Sequence, residues 1–321
     1  MKNYVFSIAM ACMLSCSIGS GLPSNPLKDK PSDEFKHSTD RPIPAPTFVE
    51  EPTRLVAIGD VHGDYQATIN ALKVAGVINN NLEWAGGNTV VVQTGDQLDR
   101  GDNERSILNL FDRLEDEAWL AGGAFYPLLG NHETMNVALD FRYVTAGGWS
   151  DFETITFDAS DTLLSQYQEY QRGRVEAFRP GGPYARYLAE HNIAMVVGDT
   201  IFVHGGLLPI HVEHGVEKIN REVQEFMRGE IEFPSILESS DSPVWSRHYS
   251  NETDAADCAL LDEVLAAIAA QRIVVGHTVQ YSGITSECDG KVWRIDVGMA
   301  SYYGGNVSVL EIVGDEIRIL Q

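Results

Sequence analysis

Five short blocks, each closing an apolar run of strand length, govern what this chain can fold into. They are Gly59-Asp60-Val61-His62-Gly63, Gly95-Asp96-Gln97-Leu98-Asp99-Arg100-Gly101, Gly130-Asn131-His132-Glu133, Val203-His204-Gly205-Gly206 and Val275-Gly276-His277-Thr278. A short apolar run bounded by glycine reads as a buried strand. In open α/β sheets, polar groups just past such strands collect at one edge. The blocks extend from residue 59 to residue 277 of a 321-residue chain, so a domain break inside that span would have to assemble one site from separate units. One domain with a large core is the simpler reading.

The residue types in the blocks are metal ligands. Asp60 and His62 stand two apart, so a strand-end loop can turn both toward one ion. Asp96 opens the second loop and is suited to bridge two ions, with Asn131, His204 and His277 completing the second ion's shell. Carboxylate, imidazole and carboxamide donors suit borderline or hard divalent ions, and paired ions clamp the attacking and leaving oxygens of a phosphate ester. A neutral Asn131 lowers the ligand charge and leaves the pair a stronger positive field. His132 follows Asn131 directly and is expected to be the general acid, with Asp99 holding its orientation and charge; a structural histidine is the competing reading. Arg100 can fork onto two phosphate oxygens. Arg142 and Arg247 are further candidates for substrate contact, and for both an ion pair with nearby carboxylates is the alternative. Glu133 reads as structural, and His191, His211, His214 and His248 lack a motif context.

The pattern along the chain predicts an α/β fold, with two packed mixed β-sheets flanked by helices and the ligand loops at the strand ends. Strands are expected at Leu55 to Ile58, Thr89 to Thr94 and Phe125 to Leu128, with helices at Tyr65 to Ala75 and Ser106 to Leu120. Residues 147–190 break this rhythm and read as a helical insertion near the site. A hairpin is expected at Ile193 to Val197 and Thr200 to Val203. Ile273 to Val275, Val292 to Asp296, Val307 to Ile312 and Ile317 to Leu320 read as a second group of strands.

Ahead of the catalytic domain, expected to span 53–321, residues 1–16 have the make-up of an export signal: Lys2, then Val5 to Leu14, then Ser15-Cys16. Met13-Leu14-Ser15-Cys16 resembles a bacterial lipoprotein box. That resemblance implies a lipid on Cys16 and a periplasmic or outer-membrane location; simple secretion is the alternative. Residues 17–52 are rich in Ser, Pro and charge and read as a flexible tether. Cys258 and Cys288 are then the remaining thiols in an oxidising compartment, either as one disulfide or as two separate buried thiols.

With 46 acidic against 23 basic residues, the formal net charge is −23. Such a charge repels nucleic acid and anionic membranes, so no nucleic-acid partner is expected and attraction for a phosphate must be local.

Together the blocks resemble the calcineurin-like metallophosphoesterases, and Gly95 to Gly101 with Gly130 to Glu133 resemble their phosphoprotein phosphatase branch. The runs GNHETMNVALDFRYV (130–144), FRPGGPYAR (178–186) and VHGGLLPIH (203–211) are similar to the Shewanella-like protein phosphatases. The resemblance implies a β-sandwich with Asp60, His62 and Asp96 at one metal and Asp96, Asn131, His204 and His277 at the other. It also implies a His132 and Asp99 pair and a phosphate-binding Arg100. The activity it implies is a phosphomonoesterase acting on phosphoproteins, with a phosphotyrosine preference. A hydroxide bridging two divalent ions, manganese first with iron or zinc as alternatives, is expected to attack in line. A phosphodiesterase or dinucleotide polyphosphate hydrolase on the same metals, and a non-catalytic phosphate- or metal-binding lipoprotein, are the rival readings. Two departures stand out: Leu139 occupies a position where glycine is expected, and the Ser-Ala-Pro-Asn-Tyr-Cys segment of the eukaryotic phosphatases is missing, its region reading Asp296 to Tyr302.

Overall fold

The apolar runs that end at the five blocks are strands, and they lie in two sheets. A computed structural model of the chain describes Phe35 and residues 39–321. The first part runs β1 (Phe48–Val49), β2 (Leu55–Ile58), α1 (Tyr65–Val74), β3 (Val90–Gln93), α2 (Glu104–Leu120), β4 (Ala124–Pro127), α3 (Asn131–Val137), α4 (Ala146–Asp151), α5 (Glu169–Phe178) and α6 (Pro183–Leu188). The second part runs β5 (Ala194–Val197), β6 (Thr200–Val203), α7 (Pro209–His214), α8 (Val216–Met227), α9 (Ala255–Ile268), β7 (Arg272–Val275), β8 (Thr285–Glu287), β9 (Val292–Arg294), β10 (Val309–Val313) and β11 (Glu316–Leu320).

One sheet has the order β1-β5-β6-β7-β9-β8 and the other β11-β10-β2-β3-β4. The period-2 alternation of strand side chains explains how they pack. In β6, Phe202 joins the core that also contains β2, β3, α1 and α2, while Ile201 and Val203 join the core under α6, α8 and α9. Val274 of β7 and Met195 of β5 point the same way as Phe202. The six-stranded sheet is therefore covered on both faces: by the other sheet on one and by helices on the other. In α2, Ile107, Leu110, Phe111, Leu114 and Ala118 recur at helical spacing and are buried in the first core.

Strand direction places the site. β2, β3 and β4 are mutually parallel, and so are β6, β7 and β9. Each sheet thus contributes three carboxyl-terminal strand ends, and every ligand loop follows one of them.

The structure departs from the sequence expectations in three ways. The last strands do not belong to a second group: β10 pairs antiparallel with β2 through Leu310↔Ala57 and carries β11 with it, so the chain returns to its first sheet. The expected tether does not extend to residue 52. Phe48–Val49 adds a parallel strand to β5, and buried Arg41 sits between Glu115 at 3.1 Å, Asp116 at 3.2 Å and Glu190 at 3.0 Å. Phe35 stacks on Tyr187 with ring centres 4.0 Å apart. Third, β8 was not foreseen in the sequence. The expected export signal, Cys16 and most of the expected tether lie outside the described residues. Among the described residues no helix is long and apolar enough to cross a membrane.

Residues 147–190 carry α5 and α6 with parts of α4. The sequence left Cys258 and Cys288 open; they form a disulfide tying the start of α9 to the turn after β8.

Arg41 is the cation that fastens the leading segment to α2. Replacing it with alanine removes that cation from between three carboxylates and is expected to cost about 3 to 5 kcal/mol. Chemical unfolding of Arg41→Ala checks this, and a midpoint unchanged from the parent would contradict it.

Candidate metal centre

The five blocks converge. Asp60, His62, Asp96, Asn131 and His204 are almost wholly buried, and His277 is 9% exposed. His62, Asp96 and His132 bring ligand atoms together in one cluster, and Asp96, His204 and His277 do so in a second, with Asp96 common to both. Asn131 enters the second through Oδ1, 2.9 Å from His204 Nε2. Asp60 lies between the two: Oδ2 is 4.0 Å from His62 Nε2, and Oδ1 is 4.0 Å from His204 Nδ1. The first cluster also contains His132, which the sequence reading had reserved for proton donation, with Nε2 3.8 Å from Asp96 Oδ2.

The donor set fits cations on a geometric test. His204 donates its Nδ1–H to the Thr94 carbonyl at 2.9 Å, which leaves Nε2 as a lone pair. That lone pair faces Asn131 Oδ1 at 2.9 Å, His277 Nδ1 at 3.1 Å and Asp96 Oδ2 at 3.3 Å. His62 likewise gives Nδ1–H to the Leu98 carbonyl at 3.1 Å and turns Nε2 toward Asp96 Oδ2 at 3.6 Å. Acceptors packed against acceptors repel unless a cation lies between them. Ligands about 2.1 Å from a shared ion stand about 3.0 to 3.4 Å apart at octahedral to tetrahedral angles. Asp60 Oδ1 and His277 Nε2 are buried with no hydrogen-bond partner, which is costly without a compensating interaction.

The electrostatics agree. Burial, then Asp296 and Asp96, push the Asp60 carboxyl well above its usual range. Asp96 is also penalised by burial, but His204 and His132 hold it well below that range. Burial lowers His62 to about 4 and His277 to about 2, keeping both neutral as ligands require. His132 differs: burial disfavours its charged form, yet Asp96 and the Asp99 hydrogen bond raise it.

The loops are held in unusual conformations. Of the non-glycine residues with positive φ among the described residues, His62, Asp96, Asp99, Arg100 and His277 are all at this site. Such conformations cost about 1 to 3 kcal/mol each and persist only where surroundings impose them. Glu133 is the main brace, as its structural reading anticipated. Its carboxylate accepts backbone N–H bonds from Asp96 at 2.8 Å, Gln97 at 2.9 Å, Leu98 at 3.1 Å and Gly130 at 2.7 Å. A Cβ on Gly276 would stand 2.3 Å from Asp60 Oδ1, so glycine is needed where that ligand passes.

A model of the calcineurin-like phosphoesterases matches residues 53–281. The chain belongs to that family. It is 40% identical over 309 residues to Shewanella-like protein phosphatase 2 of Arabidopsis thaliana, covering 85% of this chain and 79% of the relative. It is 30% identical over 258 residues to Shewanella-like protein phosphatase 1 of Plasmodium berghei, covering 78% and 68%. The crystal structure of a cold-active protein-tyrosine phosphatase from a psychrophilic Shewanella species superposes with a TM-score of 0.72 at 25% identity, covering 89% of this chain and 86% of that one. As a metallophosphoesterase the protein is a metal-dependent phosphoric ester hydrolase.

Around this metallophosphoesterase centre, His132 Nδ1 and Asp99 Oδ2 are 2.5 Å apart, the pair expected from sequence. Arg100 lies beside it, with its guanidinium 4.1 Å from the Tyr143 ring and 5.0 Å from that of Tyr302; its Nε is buried without a partner. Arg247 reaches His277 through the backbone, with Nη1 3.3 Å from the His277 carbonyl and 2.6 Å from Thr278 Oγ1. Arg142 takes the alternative course: its Nη2 pairs with Asp140 at 2.6 Å while 65% of the side chain stays exposed. The site therefore draws in Arg100 and Arg247 but not Arg142. Leu139 keeps the glycine-like turn, with φ at 62°. His191, His214 and His248 bond to Glu115, Glu222 and Asp257, and His211 accepts the Leu208 N–H; none joins the clusters.

Sequence reading missed Asp296, a buried carboxylate beside Asp60, raised to about 6 chiefly by burial. Its signal was the Asp296-Val297-Gly298 run just past the end of β9. Asn136, Glu104 and Arg174, all buried around Asp99, had no local signal.

With the buried carboxylates of Asp60, Asp96, Asp99, Glu133 and Asp296 crowded here, chelation is expected to lower the melting temperature markedly. Saturation at 100 times Kd should restore about 2.7 kcal/mol; identical melting with and without metal would contradict this. Glu133→Gln leaves one carboxamide oxygen where two carboxylate oxygens met four N–H groups. It should lose at least about 2 kcal/mol of stability and lower metal content, and a variant with parent-like melting and metal stoichiometry would refute the brace.

Proposed function

We propose that the protein is an exported phosphoprotein phosphatase that prefers phosphotyrosine, with Asp60, His62, Asp96, Asn131, His204 and His277 holding two divalent cations. Manganese is the preferred metal, with iron or zinc as alternatives, since ligands of this kind accept all three. Bound cations supply Lewis-acid charge for the phosphoryl oxygens and lower the pKa of coordinated water toward neutrality. The protein side chains do the rest. Arg100, through its unpartnered Nε and its remaining N–H groups, is placed to receive phosphoryl oxygens. His132 gives a proton from Nε2 to the leaving oxygen while Asp99 stabilises the imidazolium through Nδ1.

The observation that carries this reading is the short His132–Asp99 bond at the edge of the ligand cluster. A phosphate- or metal-binding lipoprotein has no need of an oriented proton donor. The preference for an aryl ester is supported by the aromatic rim. The Tyr143 ring lies 5.1 Å from that of His132, Tyr303 lies 5.3 Å from His62, and the Tyr302 hydroxyl accepts Arg100 Nη1 at 3.1 Å. Rings at such spacing can flank a phenyl leaving group by offset or edge contacts. The two relatives are named protein phosphatases and the Shewanella structure a protein-tyrosine phosphatase, which supports the same reading. Beside His277, a cleft of about 730 Å³ lined by Trp245, Arg247 and His248 offers room for polypeptide flanking the phosphorylated residue. Export is supported by the Cys258–Cys288 disulfide, a bond favoured in oxidising compartments; a lipid on Cys16 is part of the same proposal.

A panel of phosphotyrosine, phosphoserine and phosphothreonine peptides of one sequence, with aryl phosphodiesters and dinucleotide polyphosphates alongside, tests the reading on metal-loaded enzyme. Phosphotyrosine peptide should be favoured in kcat/KM by at least about tenfold, or about 1.4 kcal/mol. Faster turnover of a diester or a dinucleotide polyphosphate would overturn it.

A further inference from the structure

We infer that Arg174 is a positioning residue for proton donation: from helix α5 it fixes Asp99, and through Asp99 it fixes the imidazole of His132. This rests on the reading of His132 as the proton donor.

The side chain of Arg174 is completely buried. A guanidinium in that position must have its charge balanced and its donors satisfied, and here each nitrogen is accounted for. Nε donates to Asn136 Oδ1 at 3.0 Å. Nη1 donates to Glu104 and to the Gly148 carbonyl at 3.0 Å. Nη2 donates to Asn136 Oδ1 at 2.8 Å, to Glu104 Oε1 at 3.0 Å and to Asp99 Oδ1 at 3.4 Å. Phe152 and Phe178 enclose the guanidinium, each ring centre 5.0 Å away, which shields these bonds from water.

Two of these partners, Asn136 and Glu104, also hold Asp99. Asn136 Nδ2 donates to Asp99 Oδ1 at 3.2 Å and to the His132 carbonyl at 2.9 Å. Glu104 Oε1 accepts the Asp99 backbone N–H at 2.5 Å. With Oδ1 occupied by Asn136 and Arg174, Oδ2 is left to His132 Nδ1. Asp99 has a φ of 65°, a conformation that needs external support. Arg174, Asn136 and Glu104 provide it from three separate helices, α5, α3 and α2. A carboxylate held at both its backbone and one oxygen has one orientation to offer the imidazole. Loss of that support would let His132 swing from the leaving oxygen without disturbing the metal ligands.

A merely structural Arg174 would pin α5 and affect all substrates alike. A positioning Arg174 matters in proportion to how much the leaving group needs a proton. Parent, Arg174→Lys, Asn136→Ala and His132→Ala proteins, metal-loaded, are compared on 2,4-dinitrophenyl phosphate, whose leaving group departs unaided, and on phenyl phosphate. Metal content and the far-downfield imidazole N–H resonance of the zinc-loaded proteins are measured in parallel. His132→Ala should lose about 10²- to 10⁴-fold in kcat on phenyl phosphate and far less on the dinitrophenyl ester. Arg174→Lys and Asn136→Ala should show the same bias with about tenfold loss on phenyl phosphate, unchanged metal content and a shifted or lost N–H resonance. Should Arg174→Lys fail to fold, Asn136→Ala decides, because it leaves the Arg174–Glu104 pair intact. Equal losses on both esters in Arg174→Lys and Asn136→Ala, while His132→Ala keeps its bias, would overturn the inference and leave the proton-donor reading standing. An unbiased His132→Ala would overturn both.

Discussion

Hydrogen-bond acceptors facing one another around Asp96 are the constraint on which this molecule is built. Once Thr94 and Leu98 have taken the Nδ1 protons of His204 and His62, the remaining lone pairs converge with carboxylate and carboxamide oxygens among buried side chains. Without cations this packing would be repulsive, and the buried carboxylates of Asp60 and Asp296 would be driven toward their protonated forms. Two sheets, each ending three parallel strands at the same edge, are the means of bringing such groups together.

Holding them there needs a rigid frame. The strands behind the loops are buried, while the loops adopt backbone conformations that only a well-packed surrounding enforces. Glu133 draws two loops together by accepting four N–H groups, and the Arg174–Glu104–Asn136 group does the equivalent for Asp99. In the mechanism proposed above these two buried polar networks face different tasks: the first sets the position of the candidate ligands, the second the direction of the proton donor. Between them stands His132, with one ring nitrogen on Asp99 and the other toward Asp96.

The convergence of the candidate ligands could be read in sequence because each is local to a strand end: an apolar run, a glycine and a donor within a few residues. The same locality made the frame of β2, α1, β3, α2 and β4 legible. What escaped depends on tertiary placement. Arg174 looks like any polar helix residue, and only the fold carries it to Asp99. Arg41 sits in a stretch whose Pro and charge suggested an unfolded tether, yet its partners lie in α2 and beyond α6, far along the chain. The return of β10 to β2 could not be read from period-2 alternation, which identifies a strand but not its neighbour. Arg142 was ambiguous for a related reason: an arginine two residues from an aspartate has a partner within its own turn, and the local pair prevailed.

The central claim is that Asp60, His62, Asp96, Asn131, His204 and His277 would hold two divalent cations, with Asp96 common to both clusters. Crystals of the manganese-loaded protein, measured on both sides of the manganese absorption edge, test it most directly. The account predicts two anomalous peaks, each within bonding distance of an Asp96 oxygen, one also beside His62 and the other beside His204 and His277. A single peak, or peaks elsewhere on the acidic surface with this cluster empty, would contradict it.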